Sequence, residues 1–189
     1  MAIKSTICKA NLQVADMDRH YYADHALTVA RHPSETDERM MVRVLAFALH
    51  ASESLAFGKG LSDVEDPDLS ERDLTGTIEL WIEVGQPDER TILKACGRAK
   101  QVVIYTYSHA ARIWWKAIED KLERARNLSV RSVSGISAAE LVRLAERNMN
   151  LQCTIHDGEI WMRSVREDER AVQVELATLM APRQQVWAS

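Results

Sequence analysis

Two carboxylates flank a tryptophan in the stretch Glu79-Leu80-Trp81-Ile82-Glu83, and their spacing is the first sign of chemistry in this chain. Residues 77–85 alternate with a period of two, the pattern of a half-buried β-strand. Ile78, Leu80, Ile82 and Val84 make one face wholly apolar, and Thr77, Glu79, Trp81, Glu83 and Gly85 make the other. A carboxylate on a covered strand costs free energy unless a cation or a hydrogen-bond donor meets it. The strand therefore asks for a lysine, an arginine or a divalent metal. Another acid, Asp73, precedes a tight turn at Thr75-Gly76, where glycine tolerates positive φ. A reversal there brings the chain around Asp73 alongside the strand that carries Glu83, an arrangement with which metal-dependent phosphodiesterases hold Mg²⁺. Glu79 and Glu83 are separated by about 13 Å along an extended strand, so they do not both ligate one ion. The plainer alternative pairs these acids with basic side chains on a neighbouring element, because structural ion pairs gather at such positions too.

The elements that must position these groups follow from pattern. Residues 3–16 and 20–31 read as a β-hairpin turning at Ala15-Asp16-Met17-Asp18. Pro33 stops the second strand, Ser34 or Thr36 caps a helix, and the helix over 39–52 is apolar on most of its circumference, hence buried. Glu38 in its first turn is either a surface acid complementing the helix dipole or a carboxylate aimed into a site. Residues 54–73 lack periodicity, and 62–71 read as an acidic surface loop. Gly58-Lys59-Gly60 lacks the remaining positions of a phosphate loop. Pro87, Asp88 and Glu89 open a helix through residue 100 whose second half carries Lys94, Arg98 and Lys100. The apolar run 101–107 is a buried strand, so strand, helix and strand form a βαβ unit with parallel strands. Ser108 opens a helix to about residue 126, 128–133 is a short strand, and Ser137 begins a capping box for a helix to 147. His156-Asp157-Gly158 turns a hairpin between 151–155 and 159–162, and 171–176 suits an edge strand.

A chain of 189 residues suits one domain over 1–189, and 46% apolar with 28% charged residues is ordinary globular composition. A net charge of −4 gives no sign of a wholly basic nucleic-acid-binding surface, while leaving room for a local basic groove. Cys8, Cys96 and Cys153 and the six histidines show no zinc spacing. No apolar run approaches a membrane span, so a cytoplasmic protein without membrane partners is expected; the sequence leaves the oligomeric state open, with a monomer favoured. There is no Gly-x-Ser-x-Gly motif and no helix-turn-helix with a basic recognition helix.

Six segments (Met1-Ala-Ile-Lys4, Ala15-Asp-Met-Asp-Arg19, residues 31–39, Asp73-Leu-Thr-Gly76, residues 79–87 and Leu151-Gln-Cys-Thr154) resemble the YaeQ family of bacterial proteins. The resemblance spans essentially the whole chain. It implies an α/β fold related to the PD-(D/E)XK nucleases: a mixed central β-sheet flanked by helices, restriction-endonuclease-like, with an αβββαβ core, an N-terminal β-hairpin and C-terminal additions. A fold of this kind does not by itself fix activity.

Carried over residue by residue, the resemblance puts Asp73 at the strand-end aspartate, Glu83 at the acid of the (D/E)XK element and Glu38 at the acid of the first core helix, with Asp73 and Glu83 as ligands of Mg²⁺. Two positions depart from the pattern: no proline precedes Asp73, and Gly85 stands where the lysine belongs, followed by Gln86. Glutamine orients water but brings no charge to a transition state. A migrated lysine would supply that charge from elsewhere, Lys9 or Lys4 first and Lys59 next. A rival register pairs Asp68 of Pro67-Asp68 with Glu79, leaving Trp81 in the lysine slot. The implied function is Mg²⁺-dependent, endonuclease-like hydrolysis of nucleic acid, DNA or RNA, with Arg39, Arg43, Arg90, Lys94 and Arg98 available to phosphates. The competing expectation is a non-catalytic nucleic-acid- or protein-binding module on a degenerate nuclease fold, with a link to transcription.

Overall fold

Alternation over residues 6–16, less regular over 21–31, gives two long antiparallel strands, β1 (Thr6–Asp16) and β2 (Tyr21–Arg31). Cys8, Ala10, Leu12 and Val14 turn inward, and the residues between them face solvent. The structure, a computed structural model, describes residues 5–58, 66–166 and 171–183. Helix α1 (Asp37–His50) follows, with the Thr36 hydroxyl accepting the Arg39 N–H at its start. Its residues from Met40 to Ala48 are all buried, as an all-round apolar helix must be.

The chain then builds β3 (Leu55–Phe57), β4 (Leu69–Arg72), β5 (Ile78–Val84), α2 (Glu89–Arg98), β6 (Ala99–Thr106), α3 (Ala111–Leu122), β7 (Leu128–Val133), α4 (Gly135–Val142), β8 (Asn148–His156), β9 (Glu159–Ser164), β10 (Ala171–Val174) and β11 (Leu176–Met180). The expected mixed α/β architecture is present, and it is distributed over two sheets. One has the order β10-β9-β8-β1-β2, the other β11-β7-β6-β5-β4-β3. Both are mixed: β1 runs parallel to β8, and β5, β6 and β7 run parallel to one another. One apolar cluster joins inward residues of both sheets to α1, with Leu12, Val29, Leu45, Ile82 and Tyr105 among its members. A second cluster, containing Trp81, Ile92, Ile104 and Trp115, lies where α2 and α3 cover the other face of the six-stranded sheet.

Several local expectations shift. Residues 55–57 and 69–72, expected to be irregular, pair as strands: 69–72 adds to the backbone edge of β5, and 55–57 adds to 69–72. Ser108 does not cap α3 with its side chain: the helix starts at Ala111 after Ala110 and has no side-chain cap. Ser134, not Ser137, caps α4, and Ser137 is a buried residue of its first turn. The two predicted turns are in place. Gly76 has φ of +86°, and Asp157 and Gly158 both adopt positive φ, as a primed hairpin turn requires.

A buried ionic network ties α1 to this frame. Glu35 and Arg43 are each almost wholly buried, with Arg43 Nε and Nη2 donating to the two Glu35 oxygens at 2.8 and 2.7 Å. Arg43 Nη2 also donates to the Ala30 carbonyl. Arg39 donates from Nη1 to Glu35 Oε1 and from Nη2 to both oxygens of Asp68, each at 2.8 Å. These two arginines are therefore inward structural cations and not the phosphate contacts expected of them. Removing one partner of a buried ion pair strands the other charge. Arg43→Met is expected to lower unfolding free energy by about 3–5 kcal/mol in urea titrations, and the double variant Glu35→Gln/Arg43→Met to recover part of it. A loss below about 1 kcal/mol would show that the network is not needed to hold α1.

Candidate functional site

The carboxyl ends of the parallel strands β5 and β6 meet the start of α1, and the acids gather there. Leu69 pairs with Ile82 and Ser70 with Trp81, so the antiparallel register continues to set Asp68 opposite Glu83. Counting outward by equal steps from Thr75-Gly76 reaches the same pair, a signal present in the sequence. Asp68 Oδ2 accepts the Val84 N–H at 2.7 Å, which anchors its carboxylate to the end of β5. Glu83 shares its side of β5 with Trp81, whose indole N–H donates to Glu83 Oε2 at 3.2 Å.

Glu83 is the perturbed acid of the group. Burial, then the Asp68 carboxylate beside it, pushes its carboxyl up to about 7, against the Trp81 hydrogen bond and Arg39, which act in the other direction. Tyr107 lies at the same strand ends, and its hydroxyl is raised by burial, with Arg39 opposing and Glu38 adding to the rise. Glu38 is thus half-buried at the edge of this cluster, in the first turn of α1. Gln86, just beyond β5, is exposed and donates from Nε2 to Ser108 Oγ.

The remaining expected residues lie elsewhere. Asp73 does not meet Glu83: it sits at the other end of β5, roughly 17 Å away along the strand. Its Oδ1 accepts the Thr75 N–H, the Thr75 hydroxyl and the Thr77 N–H, so it is spent on closing its own turn. Those bonds, the Thr75 hydroxyl first, lower its pKa. The expectation of a metal pair Asp73–Glu83 is corrected on that geometry. Lys9 is exposed on the solvent face of the five-stranded sheet, beside Thr28 and Asn148, and supplies no charge here. Glu79 takes the plain role of an ion pair, with Lys100 at 2.5 Å, which also removes the Asp68–Glu79 register. Lys4 and Lys59 lie outside the described residues.

Over Trp81, α2 lays Arg90, Lys94 and Arg98 on one face, at intervals of four residues. With Trp81, Asp88 and Thr91 they line a cleft of about 170 Å³. The Arg98 guanidinium sits over the Trp81 ring at 5.2 Å. The Asp88 carboxylate caps the helix.

The donors at Asp68 and Glu83 are hard oxygens, the type Mg²⁺ takes, and one or two carboxylates with waters and phosphate oxygens suffice for that ion. Three carboxylates (Glu35, Asp68 and Glu83) face two guanidiniums (Arg39 and Arg43). A divalent ion and one phosphodiester would bring that charge to zero. Among the described residues no group of three or more acids, histidines or cysteines is arranged as a ready ligand set. An ion held here would have two carboxylates, one of them already accepting from Arg39 and the Val84 N–H, and would need water and substrate oxygens to complete its shell.

The chain is similar to known proteins over nearly its whole length. A family model described as YaeQ protein matches residues 1–176. Two relatives described as "Uncharacterized protein YaeQ", from Escherichia coli (strain K12) and Salmonella typhi, are each 45% identical over 183 residues, covering 96% of this chain and 99% of their own. The crystal structure of YaeQ protein from Xanthomonas axonopodis pv. citri has a TM-score of 0.89 at 44% identity, covering 95% of this chain and 100% of that one. That of YaeQ protein from Pseudomonas syringae has a TM-score of 0.88 at 34% identity, covering 95% and 98%. No helix of the described residues is long and apolar enough to cross a membrane.

The raised Glu83 carboxyl has a thermodynamic consequence. Between the ordinary value of 4.5 and about 7 the folded state holds a proton that the unfolded state has lost, so stability falls as pH rises through that window. Glu83→Gln keeps an acceptor for Trp81 and removes the titration. With chelator present, it is expected to match wild type near pH 4 and to exceed it by up to about 3 kcal/mol at pH 8 in denaturant titrations. Equal stability of the two proteins across the range would contradict the burial of a charged Glu83.

Proposed function

This chain belongs to the YaeQ family, and on that premise we propose that it is a nucleic-acid phosphodiesterase whose hydrolytic centre is the Asp68–Glu83 pair. The observation that carries the reading is the placement of that pair: two acids opposed across β4 and β5, at the carboxyl end of β5, with Trp81, the donor to Glu83, lining a cleft together with Arg90, Lys94 and Arg98. Open α/β sheets bind their ligands at such strand ends.

Asp68 and Glu83 would hold Mg²⁺, whose bound form polarises a phosphoryl oxygen and lowers the pKa of water. The rest of the work falls to the chain itself. The α2 ridge holds the phosphate backbone through Arg90, Lys94 and Arg98, and these contacts position without reading sequence. Gln86, exposed beyond β5, orients the attacking water by hydrogen bonding. Glu83, raised to about 7 by burial and Asp68, would give up its proton on taking the ion. Arg39 keeps Asp68 in place and is a positioning residue.

A second reading, a binder that does not cut, is favoured by one observation: Arg39 already engages both Asp68 oxygens, and Gly85 stands where a nuclease of this type carries lysine. Calorimetry with Mg²⁺ and Mn²⁺ separates the two. Under the hydrolytic reading wild type binds either ion at millimolar concentration, Asp68→Asn and Glu83→Gln abolish binding, and Asp73→Ala leaves it unchanged. Cleavage of single-stranded, duplex or branched DNA, or of RNA, then falls by about a hundredfold or more in Asp68→Asn and Glu83→Gln. Absence of ion binding to wild type would leave only the binder. The ridge is tested separately by salt dependence: replacing Arg90, Lys94 and Arg98 by glutamine is expected to flatten the slope of log K against log salt by about 0.7–0.9 for every phosphate that is no longer neutralised.

A further inference from the structure

Four strands form the edges of the two sheets: β10 and β2 in one, β11 and β3 in the other. A free edge presents unpaired N–H and C=O groups to any other strand, so folds keep edges short, bulged, or interrupted by lysine or proline. Three of these edges follow that rule. β3 has three residues, β10 has four, and β11 has five with a register shift between Thr178 and Met180. β2 does not. It runs for 11 residues, pairs with β1 at every one of them without a bulge, and contains no lysine, proline or glycine.

The register shows which of its backbone groups are free. Lys9 N–H donates to the Arg147 carbonyl on the β8 side and Met17 N–H to that of Ile155, so the odd residues along β1 face β8. Lys9 stands opposite Thr28, and in an antiparallel pair a residue opposite one that bonds away also bonds away. The N–H and C=O groups of Tyr22, Asp24, Ala26, Thr28 and Ala30 therefore point off the sheet. The Arg43 guanidinium at the Ala30 carbonyl agrees with this, and among the described residues it makes the one hydrogen bond to this edge. That carbonyl keeps a second lone pair.

The outward set is centred on Ala26, and its side chains suit a second copy of the same strand. A two-fold axis through Ala26 sets Ala26 beside its own copy, Asp24 beside Thr28 and Tyr22 beside Ala30. Each Thr28 hydroxyl then donates to an Asp24 carboxylate, twice over by symmetry. Each Tyr22 ring, 63% exposed in the single chain, covers an alanine. On the inner face His25 meets Leu27 and Ala23 meets Val29. No like charges stand opposite each other, a pairing that would destabilise the ribbon.

We infer that β2 pairs antiparallel with β2 of a second copy about Ala26, joining two five-stranded sheets into one. This register uses every outward residue of the strand. The contact is isologous and closes on itself, so the one long edge is consumed and no fibre grows from it. It replaces the monomer that the sequence favours. It does not rest on hydrolysis at Glu83, which belongs to the other sheet.

Light scattering of the full chain from micromolar to millimolar concentration tests it, with a mass rising to twice that of one chain as the expected result. Ala26→Pro removes an N–H that faces away from β1, where edge strands accept proline. It is expected to stay monomeric over that range, and to melt as wild type does at a dilution where both are single chains. Cross-linking reads the register without that variant. Residues in a hydrogen-bonded antiparallel pair have Cα atoms about 5.5 Å apart, within disulfide reach. The two copies of Thr28 stand about 13 Å apart along the paired strands. With oxidised glutathione and wild type as the blank, Ala26→Cys is expected to form a covalent dimer at least about tenfold faster than Thr28→Cys. A monomeric wild type throughout, an undiminished dimer in Ala26→Pro, or equal cross-linking at positions 26 and 28 would each overturn the inference.

Discussion

Arg39 is the constraint on which the candidate site depends. Its guanidinium holds Glu35 with one nitrogen and both oxygens of Asp68 with the other, so the start of α1 and the start of β4 are joined through one side chain. β4 is only four residues long and pairs with β5 on one side and the short β3 on the other. Such a strand needs an anchor, and the anchor fixes where Asp68 points. With Asp68 in place, the register leaves Glu83 no position other than beside it, and the burial of that pair is what raises the Glu83 carboxyl to about 7.

The two faces of the six-stranded sheet divide the labour. The inner face packs Leu80, Ile82 and Val84 into the cluster around α1, whose first turn is tied down by the Glu35–Arg43–Arg39 network. The outer face carries Trp81 and Glu83 towards α2, whose basic ridge sits over the tryptophan. Asp68 belongs to both sets, held by Arg39 from the inner network and opposed to Glu83 across β4 and β5.

Much of this is legible in the sequence. The alternation of residues 77–85, the all-apolar helix, the βαβ unit and the turns at Gly76 and Asp157-Gly158 follow from local steric and periodic rules, and each is present. Glu83 is identifiable because its face of the strand also carries a tryptophan. Asp73 stands out ahead of Asp68 because it is next to the turn, but an aspartate there is consumed by its own turn through Thr75 and Thr77. Asp68 is hidden by the acidic run around it, which reads as solvated; its two-oxygen contact with Arg39 comes from a partner 29 residues away. Lys9 misleads for a related reason: nothing local says that the first hairpin forms a separate sheet, with its alternate residues facing water. The caps of α3 and α4 escape local rules because serine caps well at several neighbouring positions, and tertiary packing chooses among them.

Asp68 and Glu83 share a place that must hold either a proton or a cation. Carbon-13 NMR titration of the Glu83 carboxyl, with and without millimolar Mg²⁺, measures this directly. The expected midpoint is about 7 in chelator, falling below about 5 once the ion is added. A midpoint near the ordinary carboxylate value without metal, or one that Mg²⁺ leaves unmoved, would contradict the shared site.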